Sequence, residues 1–169
     1  MKKHFFLTGL PSIGKTTALF RILQLLNKRT SGFHTEEIRI GSRRAGLNLI
    51  TSEGSRVCVA TRGEGGPFRT GKYVLNSVAL EAALRALWAG TNNGRVIYAD
   101  PVGTLVCRSP YFIEIFQQML QTQTVIGTIA KRGHSFVEEI HRRDDCEILE
   151  VTADNRDRIP EAVLERINS

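Results

Sequence analysis

The sequence predicts an α/β fold, a three-layer sandwich with a mostly parallel sheet and a β-hairpin insertion after the first strand–helix unit. Three observations predict it. Short apolar runs of strand length recur along the 169 residues. Amphipathic helical patterns separate them, the alternation that builds parallel sheets covered on both faces. After the first helical pattern the period changes to two, broken at Gly41-Ser42, and this reads as a hairpin.

Taken in order, His4–Thr8 is the first buried strand and Lys15–Lys28 the first helix, with Leu19, Ile22, Leu23 and Leu26 on one face. Phe33–Ile40 alternates, turns at Gly41-Ser42 and resumes at Ala45–Thr51, with Arg56–Thr61 extending the sheet. Gly63–Gly71 holds four glycines and a proline and is expected as a loop. Asn76–Ala89 is a helix stopped at Gly90, and Arg95–Asp100 is the second buried strand. Ser109 and Pro110 read as N-cap and first helical residue ahead of a stripe of Phe112, Ile113, Phe116 and Leu120. Thr124–Ala130 and Glu147–Thr152 are further strands, Ser135–Glu138 fits a capping box, and Pro160–Ile167 reads as a short final helix. With no linker or repeat, residues 1–169 are expected to form one domain around one core.

At 41% hydrophobic and 24% charged residues, the composition is that of an ordinary soluble globular protein. No apolar run approaches a membrane span. The apolar stretch after Met1-Lys2-Lys3 is too short for a signal peptide, and a glycine-rich motif follows at once. Cys58, Cys107 and Cys146 are far apart and odd in number, which argues against zinc and for reduced, buried or inert thiols in a cytoplasmic protein. The net charge of +6 suits a polyanionic ligand. Its basic pairs, Lys2-Lys3, Arg43-Arg44, Lys131-Arg132 and Arg142-Arg143, are scattered, without a long basic tract or an aromatic-rich strand. They are expected as solvated surface rather than a nucleic-acid groove. A monomer with no membrane partner is expected.

Gly9-Leu10-Pro11-Ser12-Ile13-Gly14-Lys15-Thr16 has the spacing GxxxxGK[ST], between an apolar strand and an amphipathic helix. Glycines let the backbone curl so that several N–H groups point at phosphates. Lys15 would reach the β- and γ-phosphates of ATP or GTP and steady the transferring group, and Thr16 would offer its hydroxyl to Mg²⁺. Thr17 completes the binding segment on the first helical turn, whose positive end adds to the attraction. The fold expectation thus becomes P-loop NTPase-like. A second metal anchor is needed, and Asp100 closes an apolar run at the strand end where such sheets bind ligands.

Beyond the loop, further segments match one family in order: Gly32-Phe33-His34-Thr35-Glu36-Glu37-Ile38-Arg39 against GFYTEEVR, Gly41-Ser42-Arg43-Arg44-Ala45-Gly46 against GGRRVGF, and Arg69-Thr70-Gly71-Lys72-Tyr73-Val74 against RVGxYVV. Val137–Ile140 and Val151–Asp157 match VEEI and VTxENRD. The chain resembles, over nearly its whole length, the thermophilic and cancer-related nucleoside-triphosphatase family. The resemblance implies a small P-loop protein that hydrolyses ATP, GTP and other nucleotides slowly with Mg²⁺.

One motif departs. The family reads roughly VIDEIGKMEL where this chain reads Ala99-Asp100-Pro101-Val102-Gly103-Thr104-Leu105-Val106. Asp100 keeps the metal-binding aspartate, whereas Pro101, Thr104 and Val106 replace a catalytic glutamate, a lysine and a second glutamate. Proline cannot orient or deprotonate water, and loss of a general base typically costs about 10²–10⁴ in rate. Glu36 and Glu37 are the candidates to orient water instead. They alternate on a strand, so one faces inward and the other outward, and a solvent-facing pair stands beside that reading. Lys131, Arg132 and His134 follow a strand end, as phosphate-sensing or plain loop residues; Asn155 and Arg156 border the base or form a helix-entry turn. The expected function is slow NTP hydrolysis. A nucleotide sensor with little turnover and a small-molecule or nucleotide kinase are the alternatives, with RNA binding supported by charge alone.

Overall fold

A computed structural model describes residues 3–91 and 94–169. Lys2 of the first basic pair therefore lies outside the described residues.

Nine strands form one sheet: β1 (His4–Thr8), β2 (Thr30–Ile40), β3 (Arg43–Thr51), β4 (Arg56–Arg62), β5 (Arg69–Thr70), β6 (Tyr73–Leu75), β7 (Val96–Val102), β8 (Thr124–Ile129) and β9 (Cys146–Glu150). Their order is β5-β6-β4-β3-β2-β7-β8-β1-β9. β2, β7, β8, β1 and β9 run parallel, and β3, β4, β6 and β5 extend the sheet antiparallel beyond β2. The sheet is covered by α1 (Lys15–Leu25), α2 (Ser77–Ala89), α3 (Pro110–Thr122), α4 (Ser135–Arg142) and α5 (Ile159–Asn168).

The alternation of β1 explains the layers. Phe5 and Leu7 pack with Leu19 and Ile22 of α1 and Val163 of α5, whereas Phe6 turns to the opposite face with Leu84, Phe116 and Ile140. The three-layer α/β sandwich with its hairpin insertion is what the sequence predicts.

Details differ for local reasons. α1 stops three residues early because Leu26 goes extended and turns its side chain into the core, 7% exposed. The buried stripe of α3 is Phe112, Ile115, Phe116, Met119 and Leu120, the i, i+3, i+4, i+7, i+8 series, and Ile113 lies beside it. The capping box at Ser135 is not formed. His134 is the N-cap, its Nδ1 accepting from the Phe136 N–H at 3.1 Å, while Glu138 accepts from the Gly133 N–H. The expected loop 63–71 ends in β5, which pairs with the unanticipated β6. Cys107 and Cys146 are buried as expected, but Cys58 is exposed on β4, and none of the three forms a disulfide.

His4 gives the fold a pH dependence. It is fully buried at the start of β1, its Nδ1 accepting the Val125 N–H at 3.2 Å and its Nε2 lying 3.6 Å from Asp145 Oδ2. Burial pushes its pKa down to about 4, more than the Asp145 charge restores. Above the unfolded value of 6.5 the imidazole is neutral folded and unfolded. As pH falls from 6.5 towards 4, the unfolded chain takes up the proton first and stability is lost, by about 3 kcal/mol over the window. Urea denaturation at pH 7 and pH 4.5 should show this loss, and His4→Asn, which keeps an acceptor for the Val125 amide, should flatten it. An equally steep loss in the variant would exclude His4 as its source.

Candidate functional site

The loop between β1 and α1 has an unusual backbone that its sequence dictates. Gly9 and Gly14 have φ of 148° and 113°, values L side chains rarely adopt, and Ser12 is left-handed at φ 60°. A Cβ on Gly9 would come within 2.7 Å of the Val151 carbonyl, so the chain leaves β1 against the end of β9 only with glycine there. Gly14 is the N-cap of α1 and no side chain caps the helix. Its first N–H groups therefore remain free for an anion at the positive end of the helix.

Lys15, first residue of α1, folds back over the loop, its Nζ donating to the Gly9 carbonyl at 3.1 Å and the Leu10 carbonyl at 2.7 Å. Partial burial lowers its pKa, the charge of Asp100 opposes this, and Lys131 adds to the lowering. Thr16 Oγ1 donates to Asp100 Oδ2 at 2.7 Å. The other carboxylate oxygen of Asp100 accepts from the Thr128 hydroxyl of β8. Asp100 is 5% exposed and is not the last residue of its strand, as the sequence suggested. β7 continues to Val102, with an irregularity in its pairing to β8 between Ala99 and Val102. The Asp100–Pro101 peptide is cis.

The oxygen donors of Thr16 and Asp100 fit Mg²⁺, a hard cation that takes one or two carboxylates plus phosphate oxygens and keeps several waters. Among the described residues there is no group of three or more His, Cys, Asp or Glu able to hold a metal by themselves. A cation here would thus share its shell with phosphate.

Glu36 and Glu37 lie on β2 just beyond the register pair His34↔Asp100. His34 packs edge-on against Phe20 of α1, with ring centroids 5.1 Å apart, so Glu36, two residues on, shares the α1 side. Arg56 Nη1 donates to Glu36 at 2.9 Å and His34 Nε2 lies 3.3 Å away, and these contacts lower the Glu36 pKa, Arg56 most. Glu37 faces the other way and pairs with Arg39 and Arg44, each at 2.9 Å.

The remaining candidates divide. Lys131 pairs with Glu150 at 2.5 Å and its charge acts on Lys15. His134 is a helix cap, and Arg132 is exposed. Thr104 lies beside Gly133, where a Cβ would strike its Oγ1, and Val106 is buried in the core. Asn155 is a turn lock, accepting from the Thr152 N–H and donating to the Glu150 carbonyl, both at 2.8 Å. Arg156 lies over the loop, its Cδ 3.8 Å from where a Gly14 Cβ would sit.

Beside the loop, a cleft of about 570 Å³ opens between the first turns of α1 and α5, lined by Gly14, Thr17, Arg21, Arg156, Asp157 and Pro160. The sequence reading missed Arg21, Asp157 and Thr128. Thr128 had a local signal, a hydroxyl near the carboxyl end of an otherwise apolar strand, and Asp157 closes a segment that resembles the family.

Comparison with known proteins agrees with this geometry. A family model described as NTPase matches residues 4–164. The chain is 34% identical over 160 residues to Nucleoside-triphosphatase THEP1 of Thermotoga maritima, covering 94% of this chain and 91% of that protein. It is 33% identical over 177 aligned positions to the human Cancer-related nucleoside-triphosphatase, covering 94% and 93%. The crystal structure of THEP1 from the hyperthermophile Aquifex aeolicus superposes with a TM-score of 0.83 at 30% identity, over 98% of this chain and 99% of that one. Matches of this extent, converging on one description and one fold, mean that the chain belongs to the NTPase family.

Proposed function

We propose that the protein binds a nucleoside triphosphate with Mg²⁺ at residues Gly9–Thr17 and hydrolyses it slowly to diphosphate and phosphate. The observation that carries this reading is the uncapped N-terminus of α1 behind a glycine-formed loop, with Lys15 over it and the Thr16–Asp100 pair beside it. Relatives named nucleoside-triphosphatases support it.

The loop amides and Lys15 hold the phosphates, Lys15 exchanging the Gly9 and Leu10 carbonyls for β- and γ-oxygens. Asp100 holds the Thr16 hydroxyl so that its lone pairs face outward, and the two residues anchor the metal. Bound there, Mg²⁺ would neutralise charge developing on the leaving diphosphate. A water oxygen then bonds to the γ-phosphorus as the bond to the bridging oxygen breaks, and the water's proton leaves to solvent or the released phosphate. Glu36 is the better candidate than Glu37 to orient this water, because it shares the α1 side of the sheet.

Calorimetry with MgATP and MgGTP, followed by phosphate release on the same sample, tests the reading. Asp100→Ala should weaken Mg²⁺-dependent affinity about 10- to 100-fold, the cost of losing a charged buried partner, and leave the weaker metal-free binding in place. An unchanged Mg²⁺ dependence would remove Asp100 from the metal site, and absence of any binding would end the nucleotide reading.

A further inference from the structure

The antiparallel wing of the sheet carries a charge that the phosphate loop does not use. β2 runs on past its pairing with Asp100, from His34 to Ile40, about 20 Å of strand at ~3.3 Å per residue. The β2–β3 turn therefore projects beyond the carboxyl end of β7 at Val102, and Ile40 is 74% exposed there.

In the sequence Arg43-Arg44 is an isolated basic pair. Folding places two further cations beside it. β3 pairs with β4 as far as Gly46↔Thr61 and β4 with β6 at Arg62↔Tyr73, and the Gly63 N–H donates to the Lys72 carbonyl at 3.1 Å. Arg43 with Arg44, Arg62, and Lys72 thus sit at the ends of three neighbouring strands, each about 4.8 Å from the next. They line a cleft of about 510 Å³ together with the hydroxyl-bearing Ser42, Thr70 and Tyr73. A second hollow, of about 830 Å³, opens against Arg43, Arg44 and Arg62 with Ile40 and Ala45. Among the described residues, neither lining includes an acidic side chain. Arg44 shares the Glu37 carboxylate with Arg39, each at 2.9 Å. No side-chain hydrogen bond or ion pair among the described residues engages Arg43, Arg62 or Lys72. Cations gathered this closely repel one another, a cost that a bound polyanion removes.

We propose that this cleft binds the phosphate backbone of a single-stranded nucleic acid, at a site independent of the phosphate loop. Arginine forks meet phosphate oxygens two at a time, and a lysine meets them as a point charge. Hydroxyls such as those of Ser42 and Thr70 position a backbone without reading its sequence. Thr70 Oγ1 already accepts from Arg108 Nε at 3.3 Å, so its own proton is left to donate. The ring of Tyr73 offers a face to an unstacked base, which a duplex keeps within its own stack. Backbone binding of this kind is electrostatic and sequence-independent, so it requires cations in a row rather than side chains fixed in one geometry.

The test is fluorescence anisotropy with a labelled mixed-sequence single strand of about 12 nucleotides and no ATP or GTP present. It is run on the parent, on Arg62→Gln/Lys72→Gln, and on Lys28→Gln/Arg142→Gln, which removes the same charge elsewhere; all four positions are exposed, so the fold is retained. Four phosphate contacts give the parent a slope of about −3 for log K against log [salt]. The cleft variant should bind about tenfold or more weakly at about 50 mM salt, with a slope of about −1.4, and the charge-matched control should bind like the parent. A duplex of the same sequence should bind more weakly than the single strand. No binding by the parent, or an equal loss in both variants, would overturn the site, the latter showing diffuse attraction to a basic protein. A duplex preferred to the single strand, or poly-glutamate bound as tightly as the oligonucleotide, would overturn the assigned partner. Because no nucleoside triphosphate is present, failure of the phosphate-loop reading would leave these results unchanged.

Discussion

Lys15→Ala is expected to weaken MgATP and MgGTP binding about 100-fold or more, measured by calorimetry, with the circular-dichroism spectrum of the fold retained. The magnitude follows from the chemistry. Hydrogen bonds to a charged group contribute about 1.5–3 kcal/mol each, and the Lys15 ammonium would make them to both β- and γ-oxygens. The structure shows why no neighbour substitutes. Lys131, whose charge reaches Lys15, is tied to Glu150, and Arg156 stands on the cleft side of the loop. The fold should survive, because Lys15 gives α1 no core contact; Leu19 and Ile22, one and two turns on, do that. A variant that binds as well as the parent would mean that the loop is not the site.

The loop was legible in the sequence because its determinants are contiguous: an apolar strand, glycines at fixed offsets and an amphipathic helix. Asp100 was legible because an acid closing an apolar run has few structural reasons to be there. What was not legible depends on register and long-range packing. Glu36 and Glu37 are equivalent in sequence, and the pair His34↔Asp100 with the Phe20–His34 contact separates them. Thr128 meets Asp100 across a parallel pairing that no local pattern announces. Arg21 carries no local signal, and only the packing of α1 against α5 brings it to the same cleft as Asp157. Helix ends moved where tertiary contacts overrode local signals, as at Leu26, whose side chain the core captures after the helix has stopped.

Pro101→Glu is expected to raise the rate of phosphate release about 100-fold while leaving nucleotide affinity nearly unchanged. Pro101 is exposed beside the buried Asp100, at the irregular point of the β7–β8 pairing, so a glutamate side chain has room and its N–H can meet water. A carboxylate that orients or deprotonates water acts in the transition state and not in the ground state, so the gain belongs in turnover. About 100-fold is the lower end of what a general base supplies, because Thr104 still stands where the family has a lysine to steady the transferring group. Restoring the second family glutamate at Val106 would not help, since that side chain is 4% exposed in the core and a charge there would be buried without a partner. Glu36→Gln in the parent and in the Pro101→Glu background decides what the parent does. If release in the parent is at background and rises only in Pro101→Glu, the protein is a nucleotide-binding module on a hydrolase scaffold. If the parent turns over steadily and Glu36→Gln abolishes this but spares Pro101→Glu, the attacking water is held from β2 rather than β7. No rise in Pro101→Glu, with affinity intact, would show that the missing carboxylate is not what limits the reaction.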